Sequence, residues 1–236
     1  MQLHLHPCWL HYAARAPSDS CAGRSDAELD HFFQFGLSAF LRWGLPSPVA
    51  VRSGNFQVDA SFYRAAVRSG IVLSSSIALP LHRPADEALV CAGTRCRIEE
   101  VLEFPVFSYS YPFGLNKRLR PLAIIACSSA EILSALEQAH EHQISPVIML
   151  THPQEYVKPK DSRYNTLRRN RINQTRLRTV LEFLHQNEGR FVTVPICAIK
   201  DRSDSVIADK PEISVSARQA IARMAENAIN DLVWWY

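Results

Sequence analysis

No stretch of this 236-residue chain holds the twenty or so consecutive apolar residues that a membrane-crossing helix needs, so an integral membrane protein is not expected. The N-terminus lacks a basic start followed by an apolar stretch, so no secretory signal is expected. Net charge is only +3, too little to suggest a nucleic-acid partner by itself. Cysteine is sparse for the length: six residues, at 8, 21, 91, 96, 127 and 197, with only Cys91 and Cys96 close together. That is too thin for a disulfide scaffold. Four residues separate Cys91 from Cys96, which is not the two-residue redox spacing, and no second pair completes a structural zinc site. The expectation is a set of small buried or incidental thiols in a reducing cytoplasm. Internal repeats and low-complexity segments are also lacking.

What is present reads as a soluble globular protein: 47% hydrophobic and 21% charged residues, in a chain long enough for one large domain or two small ones. Ser25 and Glu28 stand at capping-box spacing before an apolar face of Leu29, Phe32, Phe33, Leu37, Phe40 and Leu41, predicting a helix ended by Gly44 and Pro46. Asp59 is placed to cap a second helix, closed by Gly70. Ser128 and Glu131 open a third, running to about residue 142, a fourth spans about 172–185, and the chain closes on an amphipathic helix. Strands are predicted at 49–51, 71–77, 99–107, 122–128, 146–152 and 190–196, with 80–98 as loop holding at most one short strand. Strands alternating with helices argue for α/β architecture with a largely parallel sheet.

Candidate chemistry begins with "QLHLHP" at residues 2–7. Side chains alternate faces along a strand, so His4 and His6 point the same way at a strand end, as half of a metal site requires. In α/β folds functional groups gather at the carboxyl ends of strands, where His4, His6, Arg52 and His152 are all expected. Between Lys158 and Arg178 lie Lys158, Lys160, Arg163, Arg168, Arg169, Arg171, Arg176 and Arg178. This run reads either as a solvated face or as a clamp for an anionic glycan or sugar-linked phosphate, and it matches no nucleic-acid module despite the nearby Tyr156 and Tyr164. The terminal "WWY" is expected to pack on the domain.

The segments "QLHLHPCW", "VRSGNF", "FYRAAVRSGIVLSSSI", "EFPVF" and "PVIMLTHPQEYV", in this order, together resemble the polysaccharide deacetylases of the NodB-homology group, carbohydrate esterase family 4, nearest to members linked with lipopolysaccharide and exopolysaccharide biosynthesis. The resemblance runs from residue 2 to about residue 198. It implies an incomplete (β/α)7-type deformed barrel, with residues 1–236 as one deacetylase-like domain, N-terminally shortened because the family's upstream Asp-Asp motif has no counterpart here. It further implies a divalent metal, commonly zinc, and hydrolysis of N-acetyl or O-acetyl groups on a cell-surface polysaccharide or its precursor. A non-catalytic glycan- or partner-binding protein of the same fold is the alternative.

Carried over by position, His4 matches the first metal histidine, Arg52 the arginine that orients the base, and His152 the general acid. The second metal histidine falls at Cys8; His6 substitutes for it, Cys8 ligates as a thiolate, or the site is incomplete. Ser74 stands where the family usually carries an aspartate. Arg168, Arg169 and Arg171 are the expected substrate-binding groups.

Overall fold

The computed structural model describes residues 1–10, 19–161, 165–199 and 211–232; Arg163, Tyr164 and the terminal "WWY" lie outside this range. The chain divides into two compact units, Met1–Val106 with Val194–Lys210 and Phe107–Thr193 with Pro211–Tyr236. Among the described residues, no helix is long and apolar enough to cross a membrane.

The first unit is built on a parallel sheet. Its strands are β1 (Leu3–Leu5), β2 (Ala50–Ser53), β3 (Leu73–Ser74), β4 (Cys96–Ile98) and β5 (Val101–Glu103), in the order β1-β2-β3-β5-β4. The first four in that order run parallel, and β4 joins the edge antiparallel. Helix α1 (Asp26–Arg42) connects β1 to β2, and α2 (Ala60–Arg68) connects β2 to β3. The parallel pairing follows from these crossovers, since a short turn cannot return the chain in the same direction.

Both helices start as their sequences dictate. Ser25 and Glu28 form a complete capping box on α1, and the Asp59 side chain accepts the Phe62 amide at the start of α2. Both end before glycines with positive φ, Gly44 at 65° and Gly70 at 75°. The apolar face of α1 buries Leu29, Phe32, Phe33 and Phe40 in a core shared with Leu3, Leu5, Val51, Phe62 and Tyr63. Gly36 lets the helix lie close on β1: a Cβ there would come within 2.6 Å of Leu3 Cδ1.

The second unit combines helices with two antiparallel hairpins. Strands β6 (Ser108–Phe113) and β7 (Asn116–Pro121) pair along their length, and β8 (Val157–Pro159) pairs with β9 (Leu167–Arg169). Helices α3 (Ser129–Glu141), α4 (Arg171–Gln186) and α5 (Ala217–Leu232) complete it. The Ser128–Glu131 capping box on α3 is formed as its spacing predicts. Ile132, Leu136, Val180 and Ala220 meet Tyr109, Leu122 and Ile124 in a second core. Arg223 pairs with Glu131 at 2.9 Å, both buried, and the buried Arg176 pairs with the half-exposed Glu226 at 2.9 Å.

Several expectations are corrected. Residues 122–128 and 146–152 form no regular strands; they meet at one parallel bridge, Ala123 with Leu150. After it the chain turns, with the Ala126 and Cys127 amides both donating to the Ala123 carbonyl. A continuous apolar run records burial, and a buried turn satisfies it as well as a strand does. Residues 190–196 also form no strand, and the alternating Val192 and Val194 are 79% and 48% exposed. Cys91 and Cys96 are not incidental thiols: they are joined as a disulfide across the loop that leads into β4, with Cα atoms 6.0 Å apart. Arg176 does not belong to a solvated basic face, because it is only 2% exposed and reaches Glu226, Asn227 and the Ile124 and Ile125 carbonyls.

Candidate metal centre

The alternation of β1 buries Leu3 and Leu5 and leaves His4 outward. His6 follows the strand with the same parity, and the two imidazoles meet edge to face with centroids 4.5 Å apart. Their Nε2 atoms are 2.9 Å apart. Parallel pairing sets His4 opposite Arg52, and His4 Nδ1 lies 3.0 Å from the Arg52 carbonyl oxygen. That carbonyl can only accept, so Nδ1 of His4 carries a proton, and a neutral His4 then has a bare Nε2 able to accept an Nε2–H from His6.

The other nitrogen of His6, Nδ1, is 2.6 Å from Oδ2 of Asp19. Asp19 stands 13 residues further along, in a loop that composition marks only as polar. Its Oδ1 accepts the Cys8 amide at 3.3 Å, and its Oδ2 also accepts Asn55 Nδ2 at 3.1 Å. Partial burial pushes the Asp19 carboxyl up, but hydrogen bonds from the Cys8 thiol, His6 and the Cys8 amide together hold it below the ordinary carboxylate range. Nδ1 or Nε2 of His6, the Cys8 sulfur and an Asp19 oxygen all lie within 4.8 Å of one another.

The backbone is shaped around this group. Gly54 begins a short 3-10 turn after β2, and a Cβ there would fall 2.4 Å from His6 Nδ1 and 2.9 Å from Asp19 Oδ2. Only a glycine lets the chain pass this close. The next two residues take left-handed conformations, Asn55 at φ 54° and Phe56 at φ 56°. Each costs on the order of 1–3 kcal/mol, and such strain persists where the surroundings over-determine it.

Zinc bonds of about 2.0–2.3 Å place tetrahedral ligand atoms roughly 3.3–3.7 Å apart. His6 Nδ1 and Asp19 Oδ2, 2.6 Å apart, would have to separate by about 1 Å, and donor atoms as far as 4.8 Å apart would have to close by a similar amount. An imidazole nitrogen, a thiolate and a carboxylate are all zinc ligands, so the donor set fits. A zinc ion held by these three would have a fourth position open to water or substrate, as catalytic zinc sites do.

Arg52 reaches this group through its carbonyl; its side chain is committed elsewhere. Nε donates to the Ser75 carbonyl at 3.0 Å and Nη2 to Ser75 Oγ at 3.0 Å, with the guanidinium over the Phe56 ring. Burial lowers the Arg52 pKa, an effect opposed by Glu103. Glu103 ends β5 fully buried, its Oε1 accepting the Ser76 and Ile77 amides at 2.8 and 2.9 Å and its Oε2 accepting the Tyr63 hydroxyl at 3.1 Å. Burial pushes its carboxyl up, against these bonds and one from Ser74. Ser74 therefore belongs to the buried Glu103 network, its Oγ also 2.9 Å from Ser76 Oγ.

His152 lies in the second unit, just before a 3-10 turn at Pro153–Tyr156. Its Nδ1 is 3.2 Å from Oε1 of Glu155, whose other oxygen accepts Thr151 Oγ1 at 3.3 Å. Asn173 of α4 fixes the turn by donating to the Glu155 carbonyl at 2.9 Å. Arg168 and Arg169 are exposed on β9, with Arg168 opposite Lys158, and Arg171 opens α4 in the open.

Asp19, Glu103 and Glu155 are absent from the sequence reading. A buried glutamate at the end of a parallel strand was open to detection in "VLEF"; Asp19 and Glu155 carried no spacing signal. Comparison with known proteins found no matching family model, no matching curated protein and no matching solved structure.

Proposed function

We propose that the chain is a metal-dependent hydrolase of the polysaccharide deacetylase type, acting on acetyl groups of a carbohydrate, with its parallel sheet as part of a deformed (β/α) barrel. The observation that carries this reading is the convergence of His6, Cys8 and Asp19 at the carboxyl end of the first parallel strand. A zinc ion held there supplies a Lewis acid that polarises an acyl carbonyl and makes water a nucleophile at neutral pH.

The chain's own residues provide the rest. Asp19 and Cys8 bring negative charge to the cation and His6 brings a neutral nitrogen. The strained turn at Gly54–Phe56 fixes the loop against these groups. Arg52 is held by Ser75 and orients the strand end through its carbonyl. The resemblance assigns His152 the proton donated to the leaving amine; Glu155 holds its Nδ1, leaving Nε2 for that proton. Exposed Arg168, Arg169 and Arg171 are suited to an anionic saccharide.

The test is acetate release from a panel of N- and O-acetylated oligosaccharides by zinc-loaded protein. The expected result is release that a chelator abolishes and zinc restores. A His152→Ala variant should release acetate more slowly with unchanged zinc content. Bound metal without acetate release from any of these sugars would overturn the hydrolase reading in favour of a non-catalytic glycan- or partner-binding protein.

A further inference from the structure

The resemblance makes His4 a metal ligand, but the hydrogen bonds around it describe a different role. His4 Nδ1 is tied to the Arg52 carbonyl, and its Nε2 faces the Nε2 of His6. Both ring nitrogens of His4 thus have partners within hydrogen-bond distance before any metal enters. The Nδ1 edge of His6 faces Asp19 instead, and the Cys8 sulfur belongs to the same cluster. We propose that the metal is bound by His6 Nδ1, the Cys8 thiolate and Asp19, with His4 as a positioning residue that accepts the Nε2–H of His6 and never ligates. This rests on the metal-dependent reading above and names which residues serve it.

A metal on His6 Nδ1 requires the remaining proton on Nε2, and that proton needs an acceptor. His4 supplies one only if its own proton sits on Nδ1, which the Arg52 carbonyl enforces. The parallel register that sets His4 beside Arg52 therefore fixes the ring orientation of His6, one residue beyond the strand. Histidine ligands are commonly held this way by a partner on the second nitrogen, and loss of that partner costs about 10–100-fold in metal affinity. Cys8 takes part as a thiolate, since metal binding displaces the thiol proton to solvent.

Cobalt(II) titration of the full-length chain tests this, because a cysteine ligand gives a thiolate-to-cobalt absorption in the near ultraviolet and four-coordinate cobalt gives intense visible bands. The expected wild-type result is one cobalt per chain with both features. Cys8→Ser should lose the near-ultraviolet band. His6→Ala should lose binding. His4→Ala should keep the stoichiometry and the thiolate band while binding about 10–100-fold more weakly. His4→Gln, whose amide oxygen can accept from His6 and whose amide nitrogen can donate to Arg52, should recover much of that loss. Far-ultraviolet circular dichroism on each variant separates unfolding from loss of a ligand.

Two results would overturn the assignment while leaving the metal-dependent reading intact: a Cys8→Ser variant with an unchanged near-ultraviolet band, or a folded His4→Ala variant that loses cobalt as completely as His6→Ala. A folded wild-type chain that binds no cobalt and no zinc would end both.

Discussion

The two histidine sites are assembled in opposite ways. His152 is held by Glu155, three residues on, within one 3-10 turn. His6 is held by groups from three stretches: His4 on its own segment, Asp19, and the Arg52–Asn55 segment, which acts through His4, Asp19 and the close approach of Gly54. A local dyad forms with its own turn, whereas the first site exists only once β1 and β2 are in register. Remote substitutions should therefore dismantle the metal centre, and only neighbouring ones should disturb His152.

The largest expected effect lies in the core of the second unit. Arg223→Ala leaves Glu131 buried without its cation and should cost about 3–5 kcal/mol, measured by denaturant unfolding. Gly54→Ala comes next. Its Cβ collides with His6 and Asp19, so it should destabilise by about 1–3 kcal/mol and lower zinc affinity, while the His152 ring resonances stay in place by NMR.

A pH slope sharpens the contrast further. The Glu103 carboxyl is raised above its ordinary value near 4.5, so the folded state keeps its proton where the unfolded state loses it. Its contribution to stability is fully present below that ordinary value and is lost as pH rises through the folded value. Glu103→Gln should flatten this decline in unfolding experiments as pH rises above that ordinary value. The smallest effects are the helix caps: Ser25→Ala and Ser128→Ala should each cost about 1 kcal/mol, one in each unit.

The helices were legible because their signals are local. Ser25 with Glu28, Asp59, and Ser128 with Glu131 specify starts within four residues, and all three caps are formed. Strands were less so. The predicted run at 71–77 shortens to Leu73–Ser74, because beyond it the Ser75 carbonyl bonds to the Arg52 side chain and the Ser76 amide to the Glu103 side chain. The β6–β7 hairpin escaped notice since its exposed β7, "NKRLRP", shows no apolar alternation. The α/β class with a parallel sheet follows from the alternation of elements in the first unit.

Of the site, the pairing of His4 with His6 was readable from strand parity alone. Asp19 was not, because a carboxylate in a polar loop looks like any solvated residue until the fold carries it 2.6 Å from an imidazole. Of the second-position options at Cys8 and His6, the structure brings both residues to Asp19. Pairing of Cys91 with Cys96 likewise depends on the loop's path, which spacing does not encode.

The most direct measurement of the central claim is the zinc content of the purified, folded chain beside that of Asp19→Ala. The account predicts about one zinc per chain in the first and none in the second. Undiminished zinc in folded Asp19→Ala, or no zinc taken up by the wild-type chain, would contradict it.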